Sequence, residues 1–280
     1  MGRAGHVAVP AGQTLLGRYD GQTRRSAPTM LINHLYLRTP VIIAHRGASA
    51  AAPENTLAAF ALAADLGADA IELDVKLSKD GAPIILHDET VNRTTDAKGK
   101  VKDFTLADFQ AMDAGSWKAT QYAGERVPTL AQVFELVGSR LWINVELTNY
   151  FTRGDDLVPT VVALIQKMNL QKRVLLSSFD PLNLRRARQL DPALPLAQLT
   201  DQAQNIFLRE AWLTPFASHE ARHPDVEQLK KRGVAWYHQR GYRVNVWTNN
   251  DPDDMREFVK QGVDGLITDL PDVARKIIGS

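Results

Sequence analysis

The segment 70–77 reads AIELDVKL, and its alternation puts Ile71, Leu73, Val75 and Leu77 on one face and Glu72, Asp74 and Lys76 on the other. An apolar face of that length needs covering helices, so the charged face is directed away from them. From Val41 onward, short runs rich in Val, Ile and Leu alternate with segments of helical period, the pattern of βα units around a parallel sheet. Strands are expected over 41–45, 70–77, 141–147, 174–179, 194–199, 243–248 and 265–269. A weaker eighth is placed at 216–220, and 83–88 is expected to pair with the second strand as a hairpin. Eight strands close a barrel, which makes the chain an α/β protein of the (β/α)8 TIM-barrel class with the charged face of 70–77 pointing inward.

Helices are expected over 56–66, 129–137, 155–168, 181–190, 225–240, 252–261 and 271–278. The stretch 89–127 is too long for a simple connection and carries a short helical signal at 105–112, so it reads as an insertion after the second-strand hairpin, over the barrel mouth. Residues 1–40 lack a strong period and are expected to form a partly ordered N-terminal extension, with the barrel occupying 41–280.

The 280 residues are 44% hydrophobic and 23% charged, with a formal net charge of +1. Such a balance lacks the cationic excess of a duplex-binding protein, so no nucleic-acid partner is expected. With no cysteine, disulfides, thiolate nucleophiles and Cys-ligated zinc are excluded. No apolar run is long enough for stable membrane insertion, and a cytoplasmic location with a small-molecule substrate is the simplest expectation. Oligomeric state is not legible.

Inward-facing Glu72 and Asp74 require a cation or protonation, because an unpaired buried carboxylate costs several kcal/mol or more. In LWINVELT, the same alternation turns Asn144, Glu146 and Thr148 to one face, so a third carboxylate points into the same interior. Salt bridges in the barrel interior are the alternative, but three converging acids are hard to satisfy that way. One hard divalent cation, Mg2+ or Ca2+, held by Glu72, Asp74 and Glu146 is therefore expected. His45 ends the run VIIAH and His87 ends PIILH, which places two imidazoles at strand ends, where one can serve as general base and the other as general acid. Arg46 can offer a planar fork to a phosphate. His219 and His223 are read as structural.

These residues lie within HRGASAAAPENTLAAF, GADAIELDVKLSKDGAPIILHDETVNRTT, GERVPTLAQVFEL, NVEL, SSF, VWTNN and DGLITDLPD. In that order and spacing, the chain closely resembles the glycerophosphodiester phosphodiesterase family over nearly everything after residue 40. The resemblance implies a metal-dependent phosphoric diester hydrolase that converts glycerophosphodiesters to an alcohol and sn-glycerol 3-phosphate. It also implies His45 and His87 as the catalytic pair, Arg46 as a phosphate contact and Glu72, Asp74 and Glu146 as metal ligands. Trp247 matches an aromatic that lines the family's pocket, and the segment after Glu89 matches an insertion that helps shape glycerol binding. One departure stands out: the family commonly carries a lysine two residues after the third ligand, and this chain has Thr148. Thr148 is counted with the substrate-binding residues, where it can offer only a neutral hydrogen bond. Two alternatives follow, a lysophospholipase D-like or cyclising reaction in which a substrate hydroxyl attacks phosphorus, and a barrel that binds phosphate esters without turnover.

Overall fold

The structure is a computed structural model and describes residues 27–279. Eight parallel strands close a barrel: β1 (Val41–His45), β2 (Ala70–Leu77), β4 (Trp142–Leu147), β5 (Val174–Ser178), β6 (Leu196–Thr200), β7 (Ala221–Pro224), β8 (Arg243–Val246) and β9 (Gly265–Thr268). The short β3 (Pro83–Ile85) adds antiparallel to β2, with Val75 opposite Ile85. Pairing of β1 with both β2 and β9 closes the ring. The helices between strands include α2 (Leu57–Asp65), α4 (Leu130–Val137), α5 (Leu157–Lys167), α6 (Pro181–Leu190), the short α7 (Ile206–Arg209), α8 (Val226–Arg232) and α10 (Pro252–Lys260), and α11 (Pro271–Ile278) follows the last strand. Their apolar faces bury Ile71, Leu73, Val75, Ile143, Val145 and Leu147 in one continuous core, as the alternation in AIELDVKL requires. No described helix is long and apolar enough to cross a membrane.

Two expectations are corrected. The eighth strand lies at Ala221–Pro224 and not at 216–220, because ARHP has no apolar run to betray it. Arg222 on that strand is buried outside the barrel beside the Tyr242 ring, 5.5 Å from its centroid. The helix expected over 225–240 is broken at Gly233, whose φ of 73° ends α8 before α9 (Val234–His238) begins.

The expectation for residues 1–40 falls in part on residues 1–26, which lie outside the described residues. Residues 27–35 form a helix, α1 (Ala27–Leu35), and Ile32, Leu35 and Tyr36 pack with Val41, Ile43, Ala70, Trp142, Leu175 and Ile267 to fill the N-terminal end of the barrel interior. The segment 89–127 includes α3 (Leu106–Ala111) and a small core of its own, in which Val91, Val101, Phe109 and Met112 pack on Ile84 and Leu86 of the hairpin. The interior is therefore sealed at one end by apolar groups and open to chemistry at the other.

Candidate metal centre and active site

Above the apolar plug the inward residues become acidic. In the β2–β4 register Glu72 pairs with Asn144 and Asp74 with Glu146, so two carboxylates stand side by side and the third lies one layer below. Glu72, Asp74 and Glu146 each offer a carboxylate oxygen, and these three atoms lie within 4.8 Å of one another.

Their neighbours satisfy them only in part. Glu72 Oε2 accepts the backbone N–H of Arg46 at 3.1 Å, but the buried Oε1 has no protein partner. Asp74 Oδ2 accepts from Asn55 Nδ2 at 2.8 Å and lies 3.4 Å from Arg46 Nε. Glu146 Oε1 accepts from the Tyr150 hydroxyl at 2.7 Å. Burial, and then the negative charges of Asp74 and Glu146, push the Glu72 carboxyl well above its ordinary range. Glu146 is pushed up to about 8 by burial and by Asp74. Burial also pushes Asp74 upward, but Arg46, His87, Asn55 and His45 outweigh it and hold its carboxyl below the ordinary value. Three acids that disfavour one another's ionisation, with one oxygen orphaned, fit a hard divalent cation.

The two imidazoles are held alike. His45 Nδ1 lies 2.7 Å from Asp269 Oδ1, and His87 Nδ1 lies 2.7 Å from Asp88 Oδ1. In each, a carboxylate on Nδ1 leaves Nε2 to face elsewhere. Asp269 also accepts from Ser49 Oγ and Asn250 Nδ2, and these bonds together with His45 lower it to about 2 against the opposing effect of burial. Asp88 is gripped by Arg93, which reaches across to Glu54, and Glu54 in turn accepts from Arg46 Nη1 at 2.8 Å. A network thus runs from His87 through Asp88, Arg93 and Glu54 to Arg46 and Asp74.

The Arg46 backbone makes this convergence possible. With φ of 56° it adopts the left-handed conformation, followed by Gly47 at 83°, so the chain turns sharply after β1. A Cβ on Gly47 would meet the Ala59 backbone at 2.7 Å, so only glycine fits. His45, Arg46, Glu54, Lys118, Asn250 and Asp269 line a cavity of about 390 Å3 at the mouth.

Thr148 and Trp247 sit at the same end with much of their polarity already engaged. The Thr148 hydroxyl donates to Val75 O at 2.8 Å, and its carbonyl accepts from Lys76 Nζ at 2.8 Å. Lys76 is buried and also pairs with Glu89 at 2.9 Å, so a cation stands beside Thr148. Trp247 Nε1 donates to His223 O, while its ring meets Phe179 edge-on at 5.3 Å. His223, by contrast, lies deep inside the barrel and bonds Asn245.

Sequence reading missed Asp269, Asp88, Arg93, Glu54, Asn55 and Tyr150. One signal for Asp269 was present: it follows the last strand as His45 ends the first, and closure makes those strands neighbours.

The chain is similar to known proteins over most of its length. Residues 45–273 match the model of the glycerophosphoryl diester phosphodiesterase family. The chain is 38% identical over 240 residues to a glycerophosphodiester phosphodiesterase of Caldanaerobacter subterraneus, covering 85% of this chain and 97% of that protein. It is 35% identical over 256 residues to a Bacillus subtilis glycerophosphodiester phosphodiesterase, covering 84% and 85%. An Oleispira antarctica phosphodiesterase, solved in complex with the product sn-glycerol-3-phosphate, superposes with a TM-score of 0.79 at 31% identity, covering 86% of this chain and 97% of that one.

Proposed function

Since the chain belongs to the glycerophosphoryl diester phosphodiesterase family, we propose that it hydrolyses glycerophosphodiesters to an alcohol and sn-glycerol 3-phosphate with one divalent cation, Mg2+ or Ca2+, held by Glu72, Asp74 and Glu146. The observation that carries the metal is the orphaned Glu72 Oε1 at the meeting point of three carboxylates. A bound cation would supply Lewis acidity toward a phosphoryl oxygen and offset the local negative charge.

The remaining chemistry falls to side chains. Water oxygen bonds to phosphorus as the bond from phosphorus to the departing alcohol oxygen breaks. Of His45 and His87, one takes the proton from water and the other delivers one to the leaving oxygen, each through the Nε2 that its aspartate leaves free. Arg46, fixed by Glu54, is the contact for a phosphate oxygen, and the Trp247 ring walls the pocket. The Thr148 hydroxyl spends its proton on Val75, so toward substrate it can act only as an acceptor, and Lys76 supplies the cation in this layer. That buried ammonium, paired also with Glu89, is the candidate to replace the charge missing at position 148, which favours turnover over a binding-only barrel.

Release of sn-glycerol 3-phosphate from glycerophosphocholine tests the proposal. Alanine at His45 or His87 is expected to reduce kcat/KM by about 10²- to 10⁴-fold, and excess chelator should abolish turnover until Mg2+ or Ca2+ is restored. Undiminished turnover in those samples would end the reading.

A further inference from the structure

Each of the three acids comes to the centre with one oxygen already engaged. Glu72 Oε2 holds the Arg46 backbone N–H at 3.1 Å, Asp74 Oδ2 holds Asn55 Nδ2 at 2.8 Å, and Glu146 Oε1 holds the Tyr150 hydroxyl at 2.7 Å. Arg46 Nε stands 3.4 Å from the same Asp74 oxygen. Among the described residues no hydrogen bond reaches the second oxygen of any of the three, and Glu72 Oε1 is buried as well as unpartnered.

The Tyr150 bond has a fixed direction. Its oxygen accepts the Phe179 backbone N–H at 3.2 Å, and because a backbone N–H can only donate, the phenol proton is left to point at Glu146. The chain that carries Tyr150 is pinned from two sides. Thr148 bonds Val75 O through its hydroxyl at 2.8 Å and its N–H at 3.2 Å, while Asn149 joins Asp155 at 2.6 Å and Asn183 at 2.7 Å. The Tyr150 ring stands edge-on to Phe179, with centroids 5.9 Å apart. These contacts owe nothing to Glu146, so the hydroxyl is placed first and the carboxylate adapts to it.

Mg2+ and Ca2+ use such carboxylates differently. Ca2+ gathers about six to eight oxygens in a flexible shell and readily takes both oxygens of one carboxylate, whereas Mg2+ demands an octahedral shell and takes one oxygen from each. On the phosphodiesterase reading above, with its divalent cation, we infer that these donors, Tyr150 foremost, restrict each acid to a single ligand oxygen and so move the preference of the site from Ca2+ toward Mg2+. Tyr150 is then a positioning residue that acts through Glu146. Asn55 does the same to Asp74, with a smaller effect because Arg46 Nε stays at that oxygen.

Calorimetric titration of the chelator-stripped protein with Mg2+ alone and with Ca2+ alone, beside the same titrations of Tyr150→Phe, tests the inference. Phenylalanine keeps the ring against Phe179 and removes only the hydroxyl. The variant should lose Mg2+ affinity by about 10- to 100-fold, the scale on which groups that orient a metal ligand act. Ca2+ affinity should fall little, because the larger ion can recruit the freed Oε1, so the ratio of Ca2+ to Mg2+ affinity rises about tenfold or more. General changes in the fold or charge of the site weigh on both cations and cancel in that ratio. Asn55→Gly, which suits the φ of 59° at that position, should raise the ratio by a smaller factor. A ratio unchanged or moved toward Mg2+ in Tyr150→Phe, or in Asn55→Gly should only that variant fold, would overturn the inference and spare the proposed activity. A wild type that binds neither cation overturns the metal-dependent reading itself and this inference with it.

Discussion

On the β7–β8 side of the barrel interior, Tyr36, Asn245 and His223 form a hydrogen-bonded chain, with Tyr36 Oη 2.9 Å from Asn245 Oδ1 and Asn245 Nδ2 2.9 Å from His223 Nε2. On the β2–β4 side, Glu72 and Asp74 are buried and Glu146 partly so, and no hydrogen-bonded chain joins the three carboxylates, whose charges oppose one another. Both clusters are polar, buried and built from inward positions of neighbouring strands. They differ in charge. Neutral groups can satisfy one another at little net cost, and only His223 Nδ1 is left without a partner. Like charges cannot, so their retention in the interior marks the place where something else must bind.

The largest effect expected from this contrast is at Glu146. Glu146→Gln removes a charge while keeping the shape, and kcat/KM should fall by about 10³-fold, the scale on which a preorganised electrostatic group acts. Without added metal the same variant should melt higher than the wild type, because burial and Asp74 oppose an ionised carboxylate at that position and the amide carries none, and it should lose most of the stabilisation that Mg2+ or Ca2+ gives the wild type. Tyr36→Phe is the mirror experiment on the neutral side, where melting temperature drops and kcat/KM does not. A Glu146→Gln protein that keeps full activity, or a Tyr36→Phe protein that loses it, breaks the comparison.

A smaller effect is expected at Asp269, which holds His45 without being one of the three acids. Asp269→Asn can turn its amide N–H toward Nδ1 and force the imidazole into the wrong tautomer, lowering kcat/KM by about 10- to 100-fold. Glycerophosphocholine kinetics beside a thermal melt separate this from simple unfolding, since the variant should melt within a few degrees of the wild type. An unchanged kcat/KM would show that the aspartate does not position His45.

How much of this was legible in the sequence follows from how far each signal travels along the chain. Glu72 and Asp74 are two residues apart on one strand, so period-2 alternation alone places them on one face. Glu146 needs only the same rule on a second strand, and the register that sets it beside Asp74 follows from barrel closure. His45 and Asp269 meet across 224 residues, and Glu54 and Arg93 across 39, so no local period joins them. Strand β7 was misplaced because ARHP carries an arginine, a histidine and a proline where periodicity looks for apolar residues. His223 occupies an inward position there only because Asn245 receives it, and Arg222 an outward one because the Tyr242 ring lies beside it.

The smallest effect concerns acid stability and belongs to the neutral cluster. Burial, and then the neighbouring His219, lower His223 to about 3. Burial, and then Arg222, do the same to His219. An unfolded chain protonates both imidazoles near pH 6.5, whereas the folded chain does so only near pH 3, so the unfolded state binds more protons throughout that window. Stability contributed by the two groups is therefore complete above about pH 6.5 and declines as the pH falls toward 3. Between pH 6.5 and 5 each accounts for about 2 kcal/mol, or about 4–8 °C of melting temperature in a chain of this size. His223→Gln keeps an acceptor for Asn245 Nδ2 and removes one of the two titrations. Its melting temperature should start lower at pH 7 but fall only about half as far by pH 5. Should the variant lose as many degrees as the wild type over that interval, the buried imidazole is not what makes the fold acid-sensitive.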